Sequence, residues 1–215
     1  MFVIGWLVMQ QSQGMKQLEP AERAKLLMLA RDAIAWGVEN GVHSGYRVPP
    51  GDRDAFPEPT ACFVSLHTVD DDLRGCIGSL EAQRPLAEAV VESAMGAAFR
   101  DPRFPPLQSD ELERVRIEIS ILSPSEPVPA ASESELLAQL HPGEDGLVLE
   151  YGEQRATFLP VVWEQFDQPA DFLAALKRKA GLPSDGWPEG IRVYRYTTYR
   201  VSEAAYAAGG QPDAV

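Results

Sequence analysis

Apolar positions change their period several times along the chain, and each change marks an element. Leu27, Ala30, Ile34 and Val38 recur at spacings of three and four, which predicts a helix over Pro20 to Glu39 with one apolar face. Pro20 suits the first helical position and Asn40-Gly41 the stop. Ala61 to Val69 and Leu73 to Leu80 are short runs rich in β-branched and apolar residues, separated by Asp70-Asp71-Asp72. They predict a β-hairpin. Helical spacing returns after Pro85, where Leu86, Ala89, Val90, Ser93 and Ala97 share one face to about Arg100. Asp101-Pro102-Arg103-Phe104-Pro105-Pro106 ends that helix, because proline disfavours helix in the residue before it. Val115, Ile117, Ile119 and Ile121 alternate with Arg116, Glu118 and Ser120, the pattern of a half-buried strand.

The second half is read in the same way. Ser123 to Ala131 is a proline-rich linker, and Ser132 with Glu135 forms a capping box before the short helix of Leu136, Leu137 and Leu140. Gly146 to Tyr151 and Gln154 to Leu159 predict a second hairpin around Gly152-Glu153, followed by a helical turn over Val161 to Phe166. Asp171 to Ala180 is a helix stopped by Gly181. Its Lys177, Arg178 and Lys179 lie in the last turn, where cations favour the helix dipole. Ile191 to Val201 predicts one final strand. Gly41 to Pro59 predicts a long loop, with His43 as a solvated loop histidine.

Composition narrows the function classes. Hydrophobic residues make up 45% of the 215 positions and charged residues 24%, as in a globular protein. A net charge of −13 argues against DNA, since phosphate binding rests on basic surface. The apolar Met1 to Met9 run is too short to span a membrane, has no basic segment before it and has no clear cleavage site. Residues 1–17 are expected to be an extension, with Met15 an alternative start, residues 18–202 the domain and residues 203–215 a flexible tail. Two cysteines, Cys62 and Cys76, make neither a disulfide framework nor a zinc site. They could bridge across the hairpin, but a reducing cytoplasm is the simpler expectation. No cofactor motif and no metal-ligand cluster is found.

The candidate chemistry lies in the first hairpin. In its second strand Arg74, Cys76 and Gly78 face one side, and Leu73, Gly75, Ile77 and Ser79 the other. Glycine weakens a strand unless the chain bends or something approaches closely, so Gly75 and Gly78 suggest a bulge or bare backbone beside the thiol. The register decides what Cys76 meets. If only Asp71 and Asp72 form the loop, His67 lies opposite Cys76. If all three aspartates form it, His67 faces Gly75 and Cys76 faces Leu66.

The run LRGCIGSL, Leu73 to Leu80, resembles the signature of the AMMECR domain family, called AmmeMemoRadiSam system protein A in microbes. AMGAAFRDPRF from Ala94 to Phe104, VRIEISILSPSEPV from Val115 to Val128, FLPVV from Phe158 to Val162 and KAGLPSDGW from Lys179 to Trp187 agree in order and spacing. Together they cover roughly residues 24–202. The resemblance implies an α+β fold of antiparallel sheet and helices in two unequal lobes. It implies a site at Leu73 to Gly78 with the Asp101-Pro102-Arg103-Phe104 loop. It also implies the company of a Memo-like protein and a radical S-adenosylmethionine protein, and no established biochemical activity. Family members often place histidine nearer the Leu-Arg-Gly-Cys run, with glycine in the turn; here the turn is Asp-rich and one residue longer.

Two readings follow. In one, Arg74, Gly75, Ile77 and Gly78 with Asp101, Arg103 and Phe104 form a recognition surface, since arginine and aromatics dominate binding hot spots. In the other, Cys76 is a nucleophile or redox thiol. Arg74 would lower its pKa, His67 would act as base, and bare backbone would hold an oxyanion. RNA binding would need a locally positive face on this acidic chain and is not expected.

Overall fold

The computed structural model describes residues 18–41 and 45–203. The extension over 1–17, His43 and the tail beyond Glu203 lie outside the described residues. Helix α1 (Pro20–Asn40) opens with a reciprocal cap, in which Glu22 accepts the Glu19 N–H at 2.8 Å. Its buried face is Leu26, Leu29, Ala30, Ala33, Ile34 and Gly37, rotated from the predicted stripe; Leu27 and Val38 sit at its margins. The predicted loop after it contains helix α2 (Pro50–Ala55), started by prolines. Lys25–Asp52 and Arg53–Glu88 ion pairs, at 2.6 and 2.7 Å, tie α2 to its neighbours.

Two antiparallel four-stranded sheets follow, each with its own core. β1 (Cys62–His67), β2 (Leu73–Gly78), β3 (Arg116–Leu122) and β8 (Thr198–Ser202) form the first, in the order β2-β1-β3-β8. Helices α1 and α3 (Leu86–Phe99) cover one of its faces. β4 (Glu126–Pro127), β5 (Gly146–Tyr151), β6 (Gln154–Phe158) and β7 (Arg192–Tyr196) form the second, in the order β4-β7-β5-β6, with α4 (Glu133–Leu137) and α5 (Pro169–Lys179) in its core. The predicted final strand is therefore two strands in two sheets. It breaks at Thr197, which exchanges hydrogen bonds with Ser123, the residue where the β3–β4 segment makes the same passage. Ala61, Leu122, Val148 and Tyr196 fill the space between the sheets.

The second hairpin folds around Gly152-Glu153 as predicted, with Tyr151 opposite Gln154 and Gly152 at φ 58°. Lys177 departs from expectation. It is fully buried and donates to Glu133 Oε2, Ser184 O and Gly186 O at 2.8, 2.7 and 2.8 Å, so it ties α5 to the loop that follows.

The first hairpin takes neither expected register. Thr68 and Asp72 close a loop in which Asp71 adopts φ 68°, a left-handed conformation aspartate tolerates. Arg74 has no cross-strand partner and forms a bulge, because His67 pairs with Leu73 and Leu66 with Gly75. Cys76 therefore lies opposite Ser65, and His67 does not meet it.

Close backbone approach seats β2 on α3. A Cβ on Gly75 would lie 2.2 Å from the Ala97 carbonyl oxygen, and one on Gly96 would lie 2.6 Å from Ile77 Cγ2. Gly75 and Ile77 thus face the helix and serve packing. Gly78 is equally crowded, with a Cβ there 2.3 Å from the Cys62 carbonyl oxygen. β2 is an edge strand, and its outward groups at Cys76 are taken by the loop that leaves α3. The Cys76 N–H donates to Asp101 Oδ2 at 2.9 Å, and Arg103 Nη2 donates to the Cys76 carbonyl at 3.4 Å. Side chains here do what a further strand would do.

Gly75→Ala is expected to destabilise the protein by roughly 2–4 kcal/mol, because a methyl group has no room against the α3 backbone. Gly51→Ala, in α2 with open space around it, is expected to stay within about 1 kcal/mol of the parent. Urea denaturation of both variants checks this; similar stability for the two would contradict the packing role of Gly75.

Candidate functional site

Alternation along β1 sends Cys62, Val64 and Leu66 into the helix-side core and Phe63 and Ser65 to the opposite face. On β3, Ile117, Ile119 and Ile121 share the helix side, which leaves Glu118 and Ser120 with Ser65. Ser65 lies between Cys76 on β2 and Glu118 on β3. A thiol, a hydroxyl and a carboxylate thus form one row across the sheet. Cys76 and Ser65 are a non-hydrogen-bonded pair, the kind that brings side chains closest, and Ser65 Oγ donates to Cys76 Sγ at 3.2 Å.

Asp101 is the pivot beside this row. Its side chain is 2% exposed, while that of Arg103 is 55% exposed. Asp101 accepts from Arg103 Nε at 2.9 Å, Nη2 at 2.7 Å and the Arg103 N–H at 3.1 Å, besides the Cys76 N–H. The Arg103 guanidinium holds the Asp101 carboxyl well below the usual carboxylate range, and the two backbone donors add to this against its burial. Asp101 in turn raises the pKa of Arg103. Arg103 is therefore a fixed cation presented beside the thiol.

Arg74 has a different role from the one its sequence position suggests. The bulge sends it away from Cys76 into a bidentate pair with Glu111, at 2.7 and 3.0 Å, and onto the Pro105 carbonyl at 3.0 Å. It is 8% exposed, and it lowers the Glu111 pKa. Its Nη1 is buried without a hydrogen-bond partner among the described residues. Arg74 anchors the proline loop and the short 3-10 helix Ser109–Arg114. The half-buried Phe104 lies near both guanidiniums, 5.9 Å from Arg74 Cζ and 5.4 Å from Arg103 Cζ.

Both cysteine thiols have raised pKa values. Burial pushes Cys76 up, and the charges of Asp101 and Glu118 push the same way; the Ser65 hydrogen bond and Arg103 offset part of the rise. Cys62 lies on the helix side, 3.8 Å from Ser93 Oγ, and burial pushes it up to about 12. Both cysteines are free and face opposite sides of the sheet, so the bridge across the hairpin does not form. His67 sits at the loop end, where Nδ1 is 3.4 Å from the Asp71 carbonyl, and Asp71 pairs with Arg116.

Lys179 joins the site from the other sheet's side. It donates to the Thr157 carbonyl at 3.0 Å and lies 5.0 Å from the Phe158 ring centroid. Burial lowers its pKa first and the Arg103 charge adds to this, while Cys76 acts in the opposite direction. The helix-dipole reading missed this neighbourhood. Ser65 and Glu118 were also missed; both become visible once the register is known. Among the described residues, no three histidine, cysteine or acidic side chains converge as a metal site. No helix among them is long and apolar enough to cross a membrane.

Comparison with known proteins agrees with the fold. The AMMECR1 family model matches residues 27–201. A Methanocaldococcus jannaschii protein is 43% identical over 146 residues, covering 66% of this chain and 73% of its own. A Thermofilum pendens protein is 39% identical over 196 residues, covering 85% and 90%. The crystal structure of an uncharacterized protein from Pyrococcus horikoshii superposes with a TM-score of 0.79 at 31% identity, over 87% of this chain and 94% of that one. This chain belongs to the AMMECR1 family.

Proposed function

We propose that this protein is a binding or adaptor module, formed by residues 18–202 and acting in the cytoplasm. Its recognition surface is the face around Cys76, with Arg103, Phe104 and Lys179 as contact residues. The partners are a Memo-like protein and a radical S-adenosylmethionine protein, the company implied by the resemblance of Leu73 to Leu80. The observation that carries this reading is the state of Cys76. Its N–H, its carbonyl and its thiol are all engaged, by Asp101, Arg103 and Ser65, and its pKa is raised. A nucleophilic cysteine needs the reverse. Arg103, by contrast, is held rigidly yet exposed beside an aromatic ring, as interface anchors are.

The alternative, a cysteine-dependent enzyme, is favoured by one observation: the Cys76–Ser65–Glu118 row places a hydroxyl and a carboxylate in line with the thiol. Iodoacetamide labelling across pH, read by mass spectrometry, separates the two. A raised pKa keeps the thiol protonated until the pH exceeds its ordinary range. Cys76 is therefore expected to label slowly at pH 6–7 and to accelerate only above about pH 9, with Cys62 silent until unfolding. Fast labelling of Cys76 near pH 6–7 would favour the enzyme.

The binding reading has its own test, with purified Memo-like and radical S-adenosylmethionine proteins from the same source. Arg103→Ala with Lys179→Ala is expected to weaken association by about tenfold or more, and Cys76→Ser by less than about twofold. Calorimetry or co-elution reads the effect. No association of either protein with the parent chain would sink the adaptor proposal.

A further inference from the structure

Two cations meet beside Cys76, one supplied by each sheet. β2 is an outer strand of the first sheet and β6 an outer strand of the second. Arg155 on β6 reaches Glu81, just beyond β2, at 3.4 Å, so the two outer strands lie near each other at this end. Each has a carbonyl capped by a cation, as edge strands often need. Arg103, from the loop after α3, donates through Nη2 to the Cys76 carbonyl at 3.4 Å. Lys179, the last residue of α5, donates to the Thr157 carbonyl at 3.0 Å, and the Phe158 ring lies 5.0 Å from its ammonium. Cys76 is within electrostatic reach of both cations. The cations also reach each other: burial lowers the Lys179 pKa first, and the Arg103 charge adds to this.

Charge and donor count select what can sit between them. Among the described residues, Asp101 is the only carboxylate bonded to either cation. Asp101, Arg103 and Lys179 therefore carry one net positive charge, on a chain whose net charge is −13. A single negative charge neutralises them. A second would be repelled by Glu118, which acts on the Cys76 thiol from two strands away. Arg103 spends Nε and Nη2 on Asp101 and the Cys76 carbonyl, which leaves Nη1. Lys179 has three N–H groups and spends one on Thr157. Each cation thus keeps a donor for one further oxygen. A carboxylate, with two oxygens and one charge, matches both counts. Phe104, 5.4 Å from Arg103 Cζ, and Phe158 place an aromatic ring beside each cation.

We propose that Arg103 and Lys179 together hold one carboxylate group, with an oxygen on each, and that this is the group a protein partner presents to the Cys76 surface. The inference rests on the reading of that face as a recognition surface.

The test titrates the full chain with N-acetylphenylalanine, its uncharged amide and phenyl phosphate at neutral pH and low salt, by calorimetry or ligand-observed NMR. The acid is expected to bind at one saturable site, about tenfold or more tighter than the amide, and no weaker than phenyl phosphate. Lys179→Gln should weaken the acid by about fivefold or more, and Lys179→Arg should keep it within about threefold of the parent. Arg178→Gln, which removes the same charge from the exposed neighbouring residue, should change it by less than about twofold. Melting temperatures show whether the variants fold. Equal affinity for acid and amide overturns the proposal. Tighter binding of phenyl phosphate, or equal losses in Lys179→Gln and Arg178→Gln, does so too. If the Memo-like or radical S-adenosylmethionine protein associates with the parent chain but the acid does not bind, this inference falls and the adaptor reading stands. If the acid binds and neither protein associates, the carboxylate site stands and the adaptor reading falls.

Discussion

The contact on which this structure depends is the close seating of β2 on α3. Gly75 lies over the Ala97 carbonyl, and Gly96 leaves room for Ile77. Any side chain at either glycine would push the strand off the helix. With the strand seated, the loop leaving α3 emerges beside the outer edge of β2, and Asp101 reaches the Cys76 N–H. The signature hairpin and the Asp-Pro-Arg-Phe loop are then one hydrogen-bonded unit. Gly75, which looks like bare backbone for a ligand, is explained by helix packing, and Gly78 by the close approach of β1.

The chemistry follows from what that unit does with charge. Asp101 keeps its negative charge because Arg103 and two backbone donors surround it. Burial raises the Cys76 pKa, and the same carboxylate and Glu118 act in the same direction. Arg103 stays exposed, and Lys179 comes in from the second sheet. Arg103 is thus a fixed cation beside a hydrogen-bonded thiol.

The sequence showed some levels and hid others for definite reasons. The β5–β6 hairpin was legible because a glycine stands at the left-handed position of a two-residue turn between two short strand-forming runs. The passage from β7 to β8 was hidden because Ile191 to Val201 is one run of β-branched and aromatic residues with no break at Thr197; the strand pairings and the Ser123 hydrogen bonds reveal the change of sheet. The first hairpin's register could not be read because it depends on two local departures, left-handed Asp71 and the bulge at Arg74. That bulge also explains why Arg74, two residues from Cys76, anchors Glu111 and Pro105, and why Arg103, distant in sequence, is the cation beside the thiol. Lys179 fitted a helix-end argument so well that its second environment went unseen.

Hydrogen exchange at the Cys76 amide tests the central claim most directly, since an outward amide on an edge strand exchanges quickly unless something holds it. In the parent protein this amide should be as protected as that of Val64 in the neighbouring strand, and Asp101→Ala should speed its exchange by about tenfold or more while leaving Val64 slow. A Cys76 amide that exchanges at the rate of an open chain in the parent, or that ignores the loss of Asp101, would contradict the account.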